Sequence, residues 1–118
     1  MENTKQDILR LEKEFKDSQK TLLAIGDETR QHLLCIMLQG ECSGSRVVDI
    51  AEKTNLSRPA VSHHMQILKD AGIVKSRKEG TCIYYYLDPL DIEIEKLIVL
   101  FQDIKNIMKH VPDRSGDD

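Results

Sequence analysis

The sequence predicts a mainly α-helical domain that carries a single β-hairpin. Most of the chain places apolar residues at the three- to four-residue spacing of amphipathic helices, whereas residues 73–87 follow an alternating pattern. Glu79-Gly80-Thr81 interrupts the alternating stretch, as a hairpin turn would. A short helix, a tight turn, a second helix and the hairpin succeed one another over residues 47–87. This is the order of a winged helix-turn-helix, and we expect about five helices in all.

The first two predicted helices lie before residue 40. Residues 5–18 place Ile8, Leu11 and Phe15 at helical spacing among charged residues, which is typical of an amphipathic helix. Gly26 ends the apolar run that follows, and Asp27 is a suitable N-cap for a second helix over residues 28–39. Residues 40–46 have the composition of a loop.

The helix-turn-helix is predicted over residues 47–71. A short helix over residues 47–54 should bury Val47, Ile50 and Ala51, and Asn55 with Leu56 should form the turn. Ser57 then caps a second helix that runs to about Ala71. Pro59 is tolerated in its first turn, and Gly72 supplies a left-handed residue after its end.

The wing is predicted over residues 73–87, with strands at 73–78 and 82–87. Its basic residues, Lys75, Arg77 and Lys78, are expected to cluster at the turn. On the second strand, Tyr85 is expected to share a core-facing side with Ile83 and Leu87.

A long final helix is predicted over residues 89–109, with Asp88 as its N-cap and Pro89 in its first turn. Residues 1–111 are therefore interpreted as one domain. The polar residues 112–118 are interpreted as a disordered tail.

Charge is distributed unevenly along the chain. The 17 basic and 20 acidic residues give a net charge of −3, so global charge does not favour nucleic-acid binding. Residues 57–82, however, contain five basic and two acidic residues, a net charge of +3. The basic residues of the wing thus follow directly on the polar second helix, the arrangement that a wing reaching phosphates or a minor groove would need.

The second helix of the motif has two different faces. Val61, Met65 and Leu68 form an inward apolar face, whereas the outward face is polar and has no carboxylate between Asn55 and Lys69. Solvation alone would also make an outward face polar, so both interpretations stay open. The residues that we expect to contact DNA, on this helix and on the wing, are Ser57, Arg58, Pro59, Ser62, His63, Gln66, Lys69, Arg77 and Lys78. We expect His64 to be partly packed.

Three segments carry a resemblance to a known family. Residues 23–30 (LAIGDETR) with Gly40-Glu41, residues 56–74 (LSRPAVSHHMQILKDAGIV), and residues 77–80 (RKEG) with 84–87 (YYYL) are similar, in order, to the opening signature, the recognition helix and the wing of the ArsR/SmtB repressors. The resemblance covers about residues 20–88. It implies a dimeric winged-helix repressor that releases operator DNA when it binds an inducer, with Ser57, Arg58, Ser62, His63 and Gln66 near bases and phosphates.

The resemblance leaves the inducer open. Metal sensors of that family carry a cysteine pair near the third helix or a His/Asp/Glu set on the last helix, but here only Cys42 and the distant His110 correspond. We therefore expect no metal and no cofactor. Its thiol sensors have a cysteine on the last helix, which residues 89–109 lack, so Cys35 is interpreted as a buried core thiol and Cys82 as packing. A small organic inducer, or none, is favoured, and a metal or thiol signal stays open.

The last helix has a wider apolar stripe than a surface helix needs, which predicts a homodimer. The expected interface residues, on the first and last helices, are Ile8, Leu11, Phe15, Ile94, Leu97, Ile98, Phe101 and Ile104, with Ile94, Ile98 and Phe101 at the centre.

Other functional classes find little support. No run of about 18 apolar residues exists for a membrane span, and three unpaired cysteines without a signal peptide favour the cytoplasm. No nucleophilic triad, phosphate loop or paired carboxylates can be placed, so an enzyme is not expected. The sequence thus predicts a dimeric DNA-binding regulator, most simply a repressor that reads an inverted repeat, and the alternative is a winged-helix adaptor that binds protein. The operator, the regulated genes and the choice between repression and activation stay open.

Overall fold

The computed structural model describes residues 5–40, 44–113 and 115–116. Within these ranges it contains six helices and one two-stranded antiparallel sheet, in the order α1 (Lys5–Asp17), α2 (Gln19–Ile25), α3 (Glu28–Gln39), α4 (Val47–Glu52), α5 (Arg58–Asp70), β1 (Lys75–Glu79), β2 (Cys82–Tyr86) and α6 (Ile92–Met108). The predicted fold class is confirmed. The additional helix is α2, whose apolar residues the sequence pattern left unassigned. None of the helices in the described part is long and apolar enough to cross a membrane.

Local capping signals fix the helices around the motif as predicted. The Asp27 carboxylate accepts a hydrogen bond from the backbone N–H of Arg30 at 3.0 Å, and this bond lowers the pKa of Asp27. Ser57 Oγ accepts from the backbone N–H of Ala60 at 3.2 Å. Gly72 follows α5 with φ +80°, the left-handed conformation that ends a helix at low cost when the residue is glycine.

The core lies between α2, α3, α4, α5 and the base of the hairpin. Its central side chains, all buried, are Leu33, Ile50, Val61, Met65, Leu68 and Val74. The inward face that the sequence predicts for α5, with Val61, Met65 and Leu68, is thereby confirmed. Thr21 of α2 is also buried and donates its hydroxyl to the backbone oxygen of Ala71 at 3.3 Å, so α2 holds the end of α5 in place.

The hairpin has a two-residue turn. Glu79 pairs with Cys82, and Gly80, with φ +63°, occupies the first turn position, which fits a type II′ turn. Two expectations for the wing were wrong. Lys75 lies opposite Tyr86 at the base, not at the turn, and Ile83 is exposed because the strand extends past the core, which only Tyr85 and Leu87 reach.

The last helix begins three residues later than predicted. Its N-cap is Asp91, whose Oδ1 accepts from the backbone N–H of Ile94 at 3.1 Å. Asp88 accepts instead from the N–H of Leu90 at 2.9 Å and from the Lys75 ammonium at 2.7 Å. The expected cap at Asp88 was therefore wrong, because this carboxylate is engaged by the wing.

The first and last helices lie against each other. Arg10 of α1 forms an ion pair with Asp103 of α6 at 3.4 Å. A hydrogen bond between the side chains of Glu14 and Asp103 raises the pKa of Glu14, since the two acids approach each other.

The chain end is described in part. Pro112, Asp113, Ser115 and Gly116 are described, and the backbone N–H of Ser115 donates to the Asp113 carboxylate at 2.9 Å. Positions 114, 117 and 118 of the predicted disordered tail lie outside the described residues.

Arg30 joins the corner between α2 and α3 to α5, and its replacement is expected to destabilise the fold. Its guanidinium, on a side chain only 13% exposed, donates to the backbone oxygens of Ala24 at 2.8 Å and Leu23 at 3.3 Å. Arg30→Ala leaves these oxygens without a charged donor, so we expect the free energy of unfolding to fall by about 2 kcal/mol. Urea denaturation followed by circular dichroism measures this change.

Lys96→Ala is the matched control, since it removes a cation whose side chain is 49% exposed in a surface pair with Glu93. We expect it to change the free energy of unfolding by less than about 0.5 kcal/mol. Equal losses in the two variants would contradict a structural role of Arg30.

Candidate nucleic-acid interface

The turn between α4 and α5 is fixed by Thr54. Its hydroxyl donates to the backbone oxygen of Ala51 at 3.3 Å and accepts from the backbone N–H of Leu56 at 3.2 Å. Leu56 packs its side chain against the core. These contacts fix the direction in which α5 begins. They do not involve the outer face of α5.

The structure places the predicted contact residues of α5 on that outer face. All seven are exposed: Ser57, Arg58, Pro59, Ser62, His63, Gln66 and Lys69. Two of them already have partners within the chain, because Ser57 caps the helix and the Gln66 amide donates to Asp70 at 2.8 Å. A base or phosphate would have to replace that second bond in order to engage Gln66.

Cations without acidic partners flank this face. Among the described residues, Arg58, Lys69 and Lys78 form no ion pair, although the chain has more acids than bases. Arg58 lies at the start of α5 and Lys69 in its last turn, whereas Lys78 lies near the tip of the wing. These three side chains are available to phosphates without first breaking a salt bridge.

The other two wing cations are engaged. The Lys75 ammonium pairs with Asp88, and this contact lowers the pKa of Asp88 and raises the pKa of Lys75. Arg77 donates to Glu79 at 3.0 Å, and its guanidinium lies 5.0 Å from the ring centre of Tyr84 and 5.8 Å from that of Tyr86.

The two tyrosines thus orient Arg77, a role that the sequence reasoning missed. The signal was available in the two-residue turn, since pairing Glu79 with Cys82 places Arg77 opposite Tyr84. Because successive strand residues point to opposite faces, Arg77 and Lys78 project from different sides of the wing.

The paired histidines occupy different environments. His63 is exposed, whereas His64 is half-buried and its Nδ1 lies 3.3 Å from the Arg30 guanidinium. Their ring centres are 5.6 Å apart. The expectation that His64 is partly packed is confirmed, and His63 faces outward with the rest of the predicted DNA-contacting set.

In the described part of the chain, no cluster of three or more His, Cys, Asp or Glu side chains is suited to a metal ion. The expectation that Cys35 is buried was wrong, because α3 turns Leu33 and Met37 into the core and leaves Cys35 exposed. Cys82 is half-buried, with its Sγ 3.9 Å from the Arg46 guanidinium. Cys42 lies outside the described residues.

A second surface lies on α1 and α6. Its exposed apolar side chains include Ile8 at 40%, Phe15 at 43%, Ile98 at 44% and Phe101 at 53% exposure. Leu11 and Ile104 are half-buried. Of the two other residues predicted for an interface, Ile94 packs against the core and Leu97 is buried within the chain.

Known transcriptional regulators resemble this chain over the helix-turn-helix and beyond it. Residues 27–76 match the family model described as bacterial regulatory protein, arsR family. An uncharacterized HTH-type transcriptional regulator of Methanocaldococcus jannaschii is 36% identical over 90 residues, which cover 76% of this chain and 97% of that protein. The transcriptional repressor SdpR of Bacillus subtilis is 40% identical over 65 residues, which cover 55% of this chain and 69% of that protein.

Among solved structures, a homodimeric winged helix-turn-helix DNA-binding domain from Mycobacterium bovis, described as a possible ArsR-family regulator, superposes with a TM-score of 0.56. It is 24% identical, and the superposition covers 96% of this chain and 99% of that one. At this identity the likeness supports the fold alone.

Proposed function

The chain belongs to the arsR family of bacterial regulatory proteins, and we propose that it is a repressor that binds an inverted-repeat operator as a homodimer and leaves it when an inducer binds. The coarser part of this statement follows from the family, which consists of DNA-binding transcriptional regulators and not of enzymes. The finer part depends on the surfaces described above.

The single observation that carries the proposal is the exposed polar face of α5, which has two cations without acidic partners and the unpaired Lys78 of the wing beside it. We propose that this helix enters the major groove, which is wide enough for one α-helix, and presents Arg58, Ser62, His63 and Gln66 to base edges and phosphates. Ser57 and Pro59 lie at the N-terminus of the helix, where backbone N–H groups favour a phosphate. Lys69 supports the other end.

The wing supplies the second contact in this proposal. Because Arg77 and Lys78 project from opposite faces, a wing tip placed in a minor groove brings each cation toward a different phosphate strand. Arg77 is held in place by Tyr84 and Tyr86, so less conformational entropy is lost when it binds. Glu79 opposes this arrangement, because its negatively charged carboxylate lies near the wing tip and is repelled by the approaching phosphates.

Dimerisation through α1 and α6 explains how a small motif becomes selective. The exposed side chains of Ile8, Phe15, Ile98 and Phe101 form an apolar surface that a second copy would bury. A two-fold axis through this surface relates two recognition helices, and a dimer of this kind reads two half-sites in inverted orientation.

Selection of bound sequences from a random duplex library, at two salt concentrations, tests the proposal directly. We expect the purified chain to enrich an inverted repeat and to bind it more weakly at the higher salt concentration, because phosphate contacts release counterions. A folded dimer that enriches no sequence, with or without cell extract as a source of ligand, would contradict the proposal and favour a protein-binding adaptor.

A further inference from the structure

The base of the wing borders a cavity. This cavity of about 630 Å³ opens between the end of α3, the base of the hairpin and the start of α6. Its walls are mostly apolar and include Leu34, Met37, Ile73, Tyr85, Leu87 and Ile94. This volume lies within the range of sites for small organic molecules and is far larger than one water molecule needs.

Asp91 lines this cavity and has one carboxylate oxygen without a partner. Asp91 is only 7% exposed, and its Oδ1 is used to cap α6. Its Oδ2 is buried, and the described part of the chain offers it no hydrogen-bond donor. A buried carboxylate oxygen left unsatisfied is costly, so a donor on a bound molecule would recover that cost.

The charge of the lining selects the kind of donor. Asp88 and Asp91 both line the cavity, and no lysine, arginine or histidine does so among the described residues. Lys75 pairs with Asp88 at 2.7 Å and is also attracted by Asp91, so one cation faces the two carboxylates and a net negative charge remains. The site therefore repels anions and attracts a cation whose remaining surface is apolar.

We propose that this cavity binds a small organic ammonium or amidinium ion with an apolar body, its cationic group donating to the Asp91 carboxylate. This inference rests on the proposed function, because the cavity lies where a ligand can act on the wing. Tyr85 of β2 exchanges two backbone hydrogen bonds of 2.8 Å with Ser45, and α6 starts at the same wall. An occupant placed between them is expected to alter the angle of the wing relative to α6 and so to weaken DNA binding.

Phenylbutylamine is a suitable probe, with phenylbutyrate as the anion of the same shape. Titration calorimetry of the purified chain without DNA should show the amine binding at least about tenfold more tightly than the acid. Asp91→Asn keeps a residue that caps helices well and removes the charge, so we expect the affinity for the amine to fall about tenfold while the chain stays folded.

Glu95→Gln is the matched control, because it removes the same charge from an exposed position in the first turn of α6. We expect this variant to bind the amine as the unchanged chain does. Equal affinity for amine and acid, no binding of either, or equal losses in the two variants would overturn the proposal.

Failure here is separable from failure of the proposed function. If the chain enriches an inverted repeat but does not bind phenylbutylamine, only the proposed ligand site is refuted. A chain that binds the amine through Asp91 and selects no DNA would refute the repressor alone. Where both hold, adding the amine should release the selected duplex from the unchanged chain but not from Asp91→Asn at the same concentration.

Discussion

The variant with Arg58, Lys69 and Lys78 all replaced by alanine is expected to lose affinity for its operator by on the order of a thousandfold at 50 mM salt. In a dimer it removes six cations, and six phosphate contacts make binding roughly a thousandfold tighter at 50 mM than at 200 mM salt. A variant without these contacts lacks this gain, so at 50 mM it should be weaker by at least about that factor. The three cations have no acidic partners in the described residues, so their loss should not disturb the fold. Fluorescence anisotropy over a salt series measures both the affinity and its slope.

The slope distinguishes phosphate contacts from other losses of binding. Each phosphate contact contributes about −0.9 to the slope of log affinity against log salt concentration, so the slope should become shallower by about five. Arg58→Ala alone should in addition relax the sequence preference if Arg58 contacts a base, at a cost of about 1–3 kcal/mol. The reverse pattern, a weaker affinity with an unchanged slope, would place these residues outside the interface.

A control with the same change of charge tests whether position matters. Lys5, Lys13 and Lys109 are exposed cations on α1 and after α6. Their joint replacement by alanine should change affinity by less than about threefold, because distant charges act only through the screened field. An equal loss in both triple variants would mean that net charge, and not the α5 face, governs binding.

The recognition elements could be predicted from the sequence because their signals are local. Ser57, Pro59 and Gly72 each act within a few residues of their own position, and the structure uses Ser57 and Gly72 as predicted. The outward face of α5 followed from helical periodicity alone. Such features depend on bonds between near neighbours, which a sequence displays directly.

The start of α6 could not be predicted because it depends on a distant contact. Asp88 and Asp91 are both able to accept a backbone N–H, and the sequence offers no means of choosing between them. The structure assigns Asp88 to Lys75, 13 residues away, and leaves Asp91 to cap the helix. This assignment also places Asp91 in the cavity, so the ligand site was invisible to sequence reasoning for the same reason.

The buried face of α3 could not be predicted from the sequence, for a different reason. Its last two turns are apolar almost all round, with Leu33, Leu34, Cys35, Ile36, Met37 and Leu38 in succession. Periodicity selects a buried face only where polar residues mark the opposite one. The side of α3 that packs against α4 and α5 carries Leu33 and Met37, whereas Cys35 lies on the exposed side. The types of these residues did not indicate which side would be buried.

The double variant Ile98→Glu with Phe101→Glu is expected to convert the chain into a monomer. Full burial of one large apolar side chain contributes about 1.5–3 kcal/mol, and Ile98 and Phe101 are only about half exposed, so the four side chains of a dimer contribute about 3–6 kcal/mol. The four carboxylates that replace them would add the cost of burying a charge. A dimer with micromolar affinity has only about 8 kcal/mol to lose. Sedimentation equilibrium should therefore give a mass of 13.5 kDa for the variant and about twice that mass for the unchanged chain.

The same variant should bind the selected inverted repeat at least about a hundredfold more weakly, because each half-site is then occupied by a separate molecule. Leu23→Glu with Leu90→Glu is the control, since both side chains are more than half exposed and lie outside α1 and α6. That variant should remain dimeric and retain its affinity. A monomer that still prefers the inverted repeat, or a control that dissociates equally, would show that α1 and α6 are not the surface through which two copies read DNA.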